Sequence, residues 1–378
     1  MTFPTEGFFM RFADLLAYAD IDDLNRIALT YRCRCDGHSK NDLIQGILSR
    51  VFRDDEIAHQ YADLDDDERR FVWALLAEGR SCFTLEELLA KARQAGADGS
   101  GRQCVAALLK RGWLFRGVTR STRHGFVFPT DVKERLFRYL ERDIRQAVPL
   151  AGPPEVVRDE RGLLLDDLYT WLRFVAETPI RLTAEGILHR QQQHRLFQQF
   201  AVMEDPVDRA STAVSRSRSG HYPRRFAFLY DFTIYIGFVA EGEGPFGLSL
   251  TEQGERLLRE GTDLDLGREL FRFWVRTTKH PIPALPQLLV FLYLACRDGW
   301  AREDDLLARL SSDVTGDLFA NPASALRNEV LPMGLHLGML VSGLASNGNR
   351  LWTFTPLGIA WVGERVGFAE QSIVWQEV

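Results

Sequence analysis

The chain has 378 residues, 46% hydrophobic and 26% charged, with a formal net charge of −6 at pH 7. That length accommodates roughly two to four packed units, and the balance of residue types excludes global disorder. The acidic total excludes wholesale coating of a polyanion, so any nucleic-acid contact must come from local clusters of Lys and Arg.

Apolar residues at Leu24, Ile27 and Ala28, and again at Leu43, Ile44, Ile47 and Leu48, have helical spacing and predict two short helices within residues 12–51. Gly37 supplies a turn between them and Ser39 an N-cap. The pattern Leu24, Ile27, Gly37, Lys40, Leu43, Ile44 and Leu48 resembles a SAP-type helix-turn-helix module. Such modules bind DNA through the start of the second helix, so the resemblance implies a phosphate contact at Lys40. Residues 32–35, polar and thiol-bearing, depart from the usual pattern, and a hairpin used only for packing is the alternative.

The acid-rich start at Asp65 suits a helix N-terminus, continued by Phe71, Val72, Leu75 and Leu76 on one face. Thr84 and Glu87 make a capping box for a helix over 85–92, and a third helix follows over 103–110. The period then changes: residues 112–118 and 125–128 flank a polar turn at 119–124, which predicts a β-hairpin. Three helices followed by a hairpin describe a winged helix, whose third helix usually enters a groove while the hairpin touches backbone. Residues 99–130 contain no acid but hold Arg102, Lys110, Arg111, Arg116, Arg120 and Arg123. With His124, these are candidate nucleic-acid contacts.

Pro129 ends the hairpin and permits a helix over 131–145, after which 148–154 reads as a Pro/Gly linker and a domain boundary. Helices are expected over 163–177 and 188–200. No acid lies between Arg209 and Tyr230, and this stretch reads as a basic loop in which Arg216, Arg218, Arg224 and Arg225 are further candidates for nucleic-acid contact. An aromatic-rich helix over 226–239 follows, in which Phe226, Phe228, Tyr230, Phe232 and Tyr235 read as core packing rather than a partner surface. A turn at 241–247 and a strand at 248–250 close that unit. The last unit has helices over 288–297, 303–311 and 322–331, a turn at 346–349 and a strand over 351–354. The expected units are thus 1–60, 61–147, 155–262 and 263–378.

Three segments align with one another as strand ends entering helices: 128–132, 250–257 and 354–361. The order of 179–183, an Arg/Gln-rich helix, 226–230 and 250–257 resembles the helicase-associated N-terminal region of bacterial XPB-type helicases, over about residues 163–364. In that family the region precedes motor domains, and the resemblance implies winged helices without the motor. No phosphate-binding Gly-x-x-x-x-Gly-Lys-Ser/Thr loop, dinucleotide fingerprint, His-Glu-x-x-His helix or Gly-x-Ser-x-Gly elbow occurs in the sequence.

The acidic pairs Asp54/Asp55 and Asp304/Asp305 read as solvated helix starts, and His189 and His194 as surface residues. Cys33, Cys35 and His38 lack a fourth ligand for a metal, and five scattered cysteines suit free thiols. The run 282–296, broken by Pro283 and Pro286, reads as a buried helix rather than a membrane span. With no secretory signal at residues 1–10, a cytoplasmic location is expected.

The expectation is therefore a mainly α fold with small β-hairpin wings, a SAP-like helical hairpin followed by tandem winged-helix-like units. Its expected role is a non-catalytic DNA-binding adaptor beside a helicase or nuclease in DNA processing or repair, with no cofactor, no metal and no membrane. A protein-interaction scaffold and a transcription regulator are the alternatives, and the oligomeric state is open.

Overall fold

The computed structural model describes residues 10–53, 55–97, 99–117, 125–207, 218–242, 247–262, 264–278, 281–313 and 322–366. Three helices open it: α1 (Phe12–Tyr18), α2 (Ile21–Thr30) and α3 (Lys40–Val51). Asp20 and Ser39 accept hydrogen bonds from the backbone amides of Asp23 and Asp42, which caps α2 and α3. Leu24, Ile27, Leu43 and Ile47 are buried at the seam.

α4 (Glu56–Ala62) leads to α5 (Asp66–Leu76), whose start is capped by Asp65 and whose Phe71, Val72, Leu75 and Leu76 are buried. Next come β1 (Cys82–Thr84), α6 (Leu85–Gln94), α7 (Gly101–Lys110), β2 (Phe115–Arg116) and β3 (Gly125–Val127). The capping box of Thr84 and Glu87 is formed in both directions. β1 joins the hairpin to make an antiparallel sheet of order β1-β3-β2, an addition the sequence reading lacked. The turn expected at 119–124 lies outside the described residues.

After α8 (Thr130–Ala147), the expected linker turns out to hold β4 (Leu150–Ala151), followed by β5 (Val156–Arg158). These are the two edges of a five-stranded sheet of order β4-β8-β10-β9-β5, with β8 (Trp300–Arg302), β9 (Leu340–Leu344) and β10 (Arg350–Phe354) inside. Leu150 pairs with Ala301 and Val156 with Leu344. The ion pairs Arg297–Glu141 (2.6 Å), Arg309–Asp143 and Arg145–Asp298 fasten α8 to the same C-terminal elements. The stretch is a strap between halves of the chain, not a free connector.

The middle consists of α9 (Leu163–Glu177), α10 (Arg190–Phe197), a 3₁₀ turn (Arg218–His221), α11 (Arg224–Tyr235), β6 (Val239–Glu241), β7 (Leu248–Leu250) and α12 (Glu252–Glu260). Ile180 makes an antiparallel bridge to Leu248, on the far side of β7 from β6. α13 (Leu266–Thr278) precedes α14 (Leu285–Cys296), which is buried at every residue and carries Pro286 in its first turn. α15 (Glu303–Asp313), α16 (Pro322–Ala325), a π-turn (Leu326–Val330), α17 (Leu331–His336) and α18 (Pro356–Val366) complete the chain. Among the described residues no helix is long and apolar enough to cross a membrane.

One chain reversal precedes each of three strand pairs. α7, α11 and α17 are each followed by a glycine at positive φ: Gly112 (+65°), Gly237 (+79°) and Gly338 (+69°). In each case the glycine amide donates three residues back, to Leu109, Ile234 or Leu335. The next amide donates five back, from Trp113 to Leu108, Phe238 to Thr233 and Met339 to Gly334. A strand pair then follows.

At the far end of the second and third pairs the same cap appears. The Thr251 hydroxyl donates to the Gly237 carbonyl (2.6 Å) and accepts from the Gly254 amide (3.1 Å). The Thr355 hydroxyl donates to the Gly338 carbonyl (2.8 Å) and accepts from the Gly358 amide (3.0 Å). The first unit departs: Pro129 precedes its helix, and the amide and hydroxyl of Thr130 both turn to the Met10 carbonyl.

Candidate nucleic-acid interface

α7 is a short helix rich in alanine and leucine, residues that lose little side-chain entropy in a helix. Its inner face, Cys104, Val105, Ala107 and Leu108, is buried. Arg102, Gln103, Ala106 and Lys110 are exposed along the opposite stripe, with the small Ala106 between the two cations. Arg116 is exposed on β2 just beyond. Among the described residues, Arg102, Lys110 and Arg116 make no ion pair.

Both ends of α7 are anchored by neighbours. At the start the Ser100 hydroxyl donates to Asp67 Oδ2 on α5 (2.6 Å). At the end Arg111, expected as a phosphate contact, turns inward: its guanidinium lies 3.7 Å from Glu68 and donates to the Ala107 carbonyl. The Tyr31 hydroxyl at the end of α2 donates to the Arg111 carbonyl and accepts from the Trp113 indole. Burial pushes the Tyr31 phenol well above its ordinary range, so it remains a neutral donor and acceptor. Neither Tyr31 nor Glu68 was singled out from the sequence, because their partners lie far away along the chain.

Lys40 stands exposed at the first position of α3, with Ser39 already capping that turn and Asp42 close by. The Asp42 carboxylate accepts from the Asp36 amide, so the start of α3 carries its own anion. α2 packs against both α3 and α7 and connects Lys40 to the first unit. Arg120, Arg123, His124 and Arg216 lie outside the described residues, as does the side chain of Arg218.

The two remaining candidates are corrected. Arg225 is 1% exposed and ion-paired with Asp167, which is fully buried. Arg224 donates to the Asn328 carbonyl and pairs with Glu329 at 2.8 Å. An arginine-rich stretch looks solvated in sequence, but here its last residues begin α11, where Tyr222 and Phe226 are core.

The corresponding side of the equivalent helices, α11 and α17, carries other side chains: with Gly112, Gly237 and Gly338 as equivalent positions, Ala106 and Lys110 correspond to Asp231 and Tyr235 on α11 and to Pro332 and His336 on α17. Phe273 of α13 packs against Phe228, Phe232 and Tyr235 of α11, with ring centroids 5.5, 5.6 and 4.9 Å apart. On α17, Pro332 is half-buried and His336 is held 2.7 Å from the buried Glu160. Gly338, after α17, abuts Arg161. Of the three, α7 alone keeps an exposed stripe of cations without carboxylate partners among the described residues.

Other chemistry-bearing groups are accounted for locally. Cys33 and Cys35 pack against Gly46, and burial raises both thiols. Among the described residues no group of three or more His, Cys, Asp or Glu is arranged to hold a metal ion. Asp55 pairs with Arg142, Asp304 with Arg327 and Asp305 with Arg302.

Comparison with known proteins returned no match to a protein-family model, and none of significance to a curated protein or a solved structure.

Proposed function

We propose that this chain is a non-catalytic DNA-binding adaptor that works beside a helicase or nuclease, built from a SAP-like hairpin and three winged-helix-like units. In each unit a helix, a short strand or bridge, two further helices and a strand pair follow in that order. The three sheets share one arrangement, with the last strand in the middle: β1-β3-β2, Ile180-β7-β6 and β8-β10-β9. That arrangement supports the winged-helix reading, in which the third helix meets the groove and the strand pair flanks it.

The single observation that carries the functional reading is the open cationic stripe of α7, set against the corresponding faces of α11 and α17, which carry no cation without a carboxylate partner among the described residues. Arg102, Lys110 and Arg116 neutralise phosphates, and Ala106 lets the helix approach closely. Contacts of this kind give salt-sensitive binding with little sequence preference. The resemblance to the helicase-associated region supplies the partner class, a motor or nuclease carried on another chain.

Binding of fluorescent duplex DNA across a salt series, with Arg102→Glu/Lys110→Glu as the comparison, tests this. Loss of most of the affinity in the variant supports the reading, and wild-type retention in the variant sinks it. A protein-interaction scaffold is the second reading. It is favoured by the edge strand β5, where Val156 and Val157 are 61% and 54% exposed, and it predicts no DNA binding even at low salt.

A further inference from the structure

The polar face of α8 carries arginines at 135, 138, 142 and 145, a spacing of three, four and three that sets all of them on one side of the helix. Across from them, the turn before α4 brings Arg53. Arg53, Arg135, Arg138 and Arg142 line a groove with Tyr139 and, among the described residues, a single carboxylate, Asp55. Past Arg138 and Arg142 a second hollow continues along α8 to Glu141, Arg145 and Gln146, where Arg145 is paired with Glu141 and Asp298.

The four arginines of the groove itself, at 53, 135, 138 and 142, are poorly compensated. The pair Arg142–Asp55 spans 3.1 Å with both side chains more than half exposed, which contributes little. Arg135 lies over the Phe52 ring at 4.7 Å, where the aromatic face orients it without removing its charge. Arg53 and Arg138 make no ion pair among the described residues. Guanidinium groups gathered this closely repel one another, and such a cluster on a chain of net charge −6 is stabilised when an anion enters.

The shape selects the anion. Successive arginines rise by roughly 4.5 to 6 Å along α8, so they form a row, as the charges along a nucleic-acid strand do. A single small anion would need donors converging on one point, whereas these are strung along a line. A run of rings links the groove to β2 through the core: Phe52 packs edge-on against Phe12 at 5.5 Å, and Phe12 against Phe115 at 5.7 Å.

We propose that the groove between α4 and α8 is a second phosphodiester-binding track, which holds the backbone of a nucleic-acid strand while α7 engages the duplex. This rests on the DNA-binding reading of α7 and adds residues that reading did not use: Arg53, Arg135, Arg138 and Arg142.

The test uses the full-length protein and a fluorescent duplex with a single-stranded tail, titrated across a salt series. Arg53→Glu/Arg138→Glu changes two exposed side chains with no ion pair to break, and Arg53→Lys/Arg138→Lys keeps their charge. The proposal expects the Glu variant to lose at least tenfold in affinity and to lower the salt slope by about two, with the Lys variant near wild type. Wild-type affinity and slope in the Glu variant, with binding lost in Arg102→Glu/Lys110→Glu, overturns the track and leaves the α7 reading standing. Absence of any DNA binding by the wild-type protein overturns both.

Discussion

Tyr31 donates its phenolic hydrogen to the backbone carbonyl of Arg111 at 2.9 Å, joining the end of α2 to the end of α7. The same oxygen accepts from the buried Trp113 indole at 3.2 Å, so one hydroxyl satisfies two groups. Tyr31→Phe keeps the ring and orphans both partners. We expect a loss of about 1 to 3 kcal/mol in unfolding free energy, read by urea denaturation. DNA affinity should fall along with it, because the position of α7 depends on this clamp.

The repeated Thr–Gly cap makes a paired prediction. A Cβ at Gly254 strikes the Phe238 carbonyl oxygen, and one at Gly358 strikes the Met339 carbonyl oxygen. Gly254→Ala and Gly358→Ala should each cost about 1 to 3 kcal/mol, the range for forcing atoms into a packed site. Gly152→Ala, where the added carbon meets nothing within 4 Å, should be close to neutral. Thermal unfolding of the three variants checks this, and equal melting temperatures would refute the repeat as a structural device.

The pair Arg225–Asp167 lies in the core of the middle unit, where Asp167 also accepts from the Ala201 amide at 2.6 Å. Arg225→Met leaves a buried carboxylate without its counter-ion, and the expected cost is about 3 to 5 kcal/mol. DNA affinity per folded molecule should stay unchanged, which separates this arginine from the surface ones. A measured loss of affinity without a loss of stability would contradict its burial.

Glu204 adds a pH dependence. Burial pushes its carboxyl up to about 7 against the opposing pull of Arg225, and nearby Asp167 adds to the rise. The native state therefore holds a proton that the unfolded chain releases between about pH 4.5 and 7. The stabilisation from this group is complete below that window and is lost as pH rises through it. Glu204→Gln should flatten the slope and raise stability at pH 8 by about 1 to 3 kcal/mol, measured by denaturation at pH 5 and pH 8.

Local signals in the sequence translated well into elements. Ser39, Asp65 and the Thr84–Glu87 box mark helix starts within a few residues, because capping is decided by adjacent amides. The alignment of residues 250–257 with 354–361 pointed at a shared strand-to-helix cap, since Thr and Gly at that spacing have a local geometric cause. β4 and β5 were invisible: strands of two and three residues carry no period, and their partners lie in the last third of the chain. Arg225 misled for the same reason, as Asp167 lies on a different helix. The cationic stripe of α7 was legible from its acid-free surroundings. That Phe273 contacts α11 and Glu160 holds His336 of α17 was not, because both reach those helices only through the tertiary fold.

The most direct test of the central claim, that α7 alone among the three equivalent helices meets DNA, is site-specific photo-crosslinking. A benzophenone side chain is placed at Ala106 in α7 or at the exposed Asp231 in α11, and each full-length protein is irradiated with labelled duplex. The account predicts a crosslink from position 106 that disappears at high salt, and none from position 231. A crosslink from 231, or binding with no crosslink from 106, would contradict it.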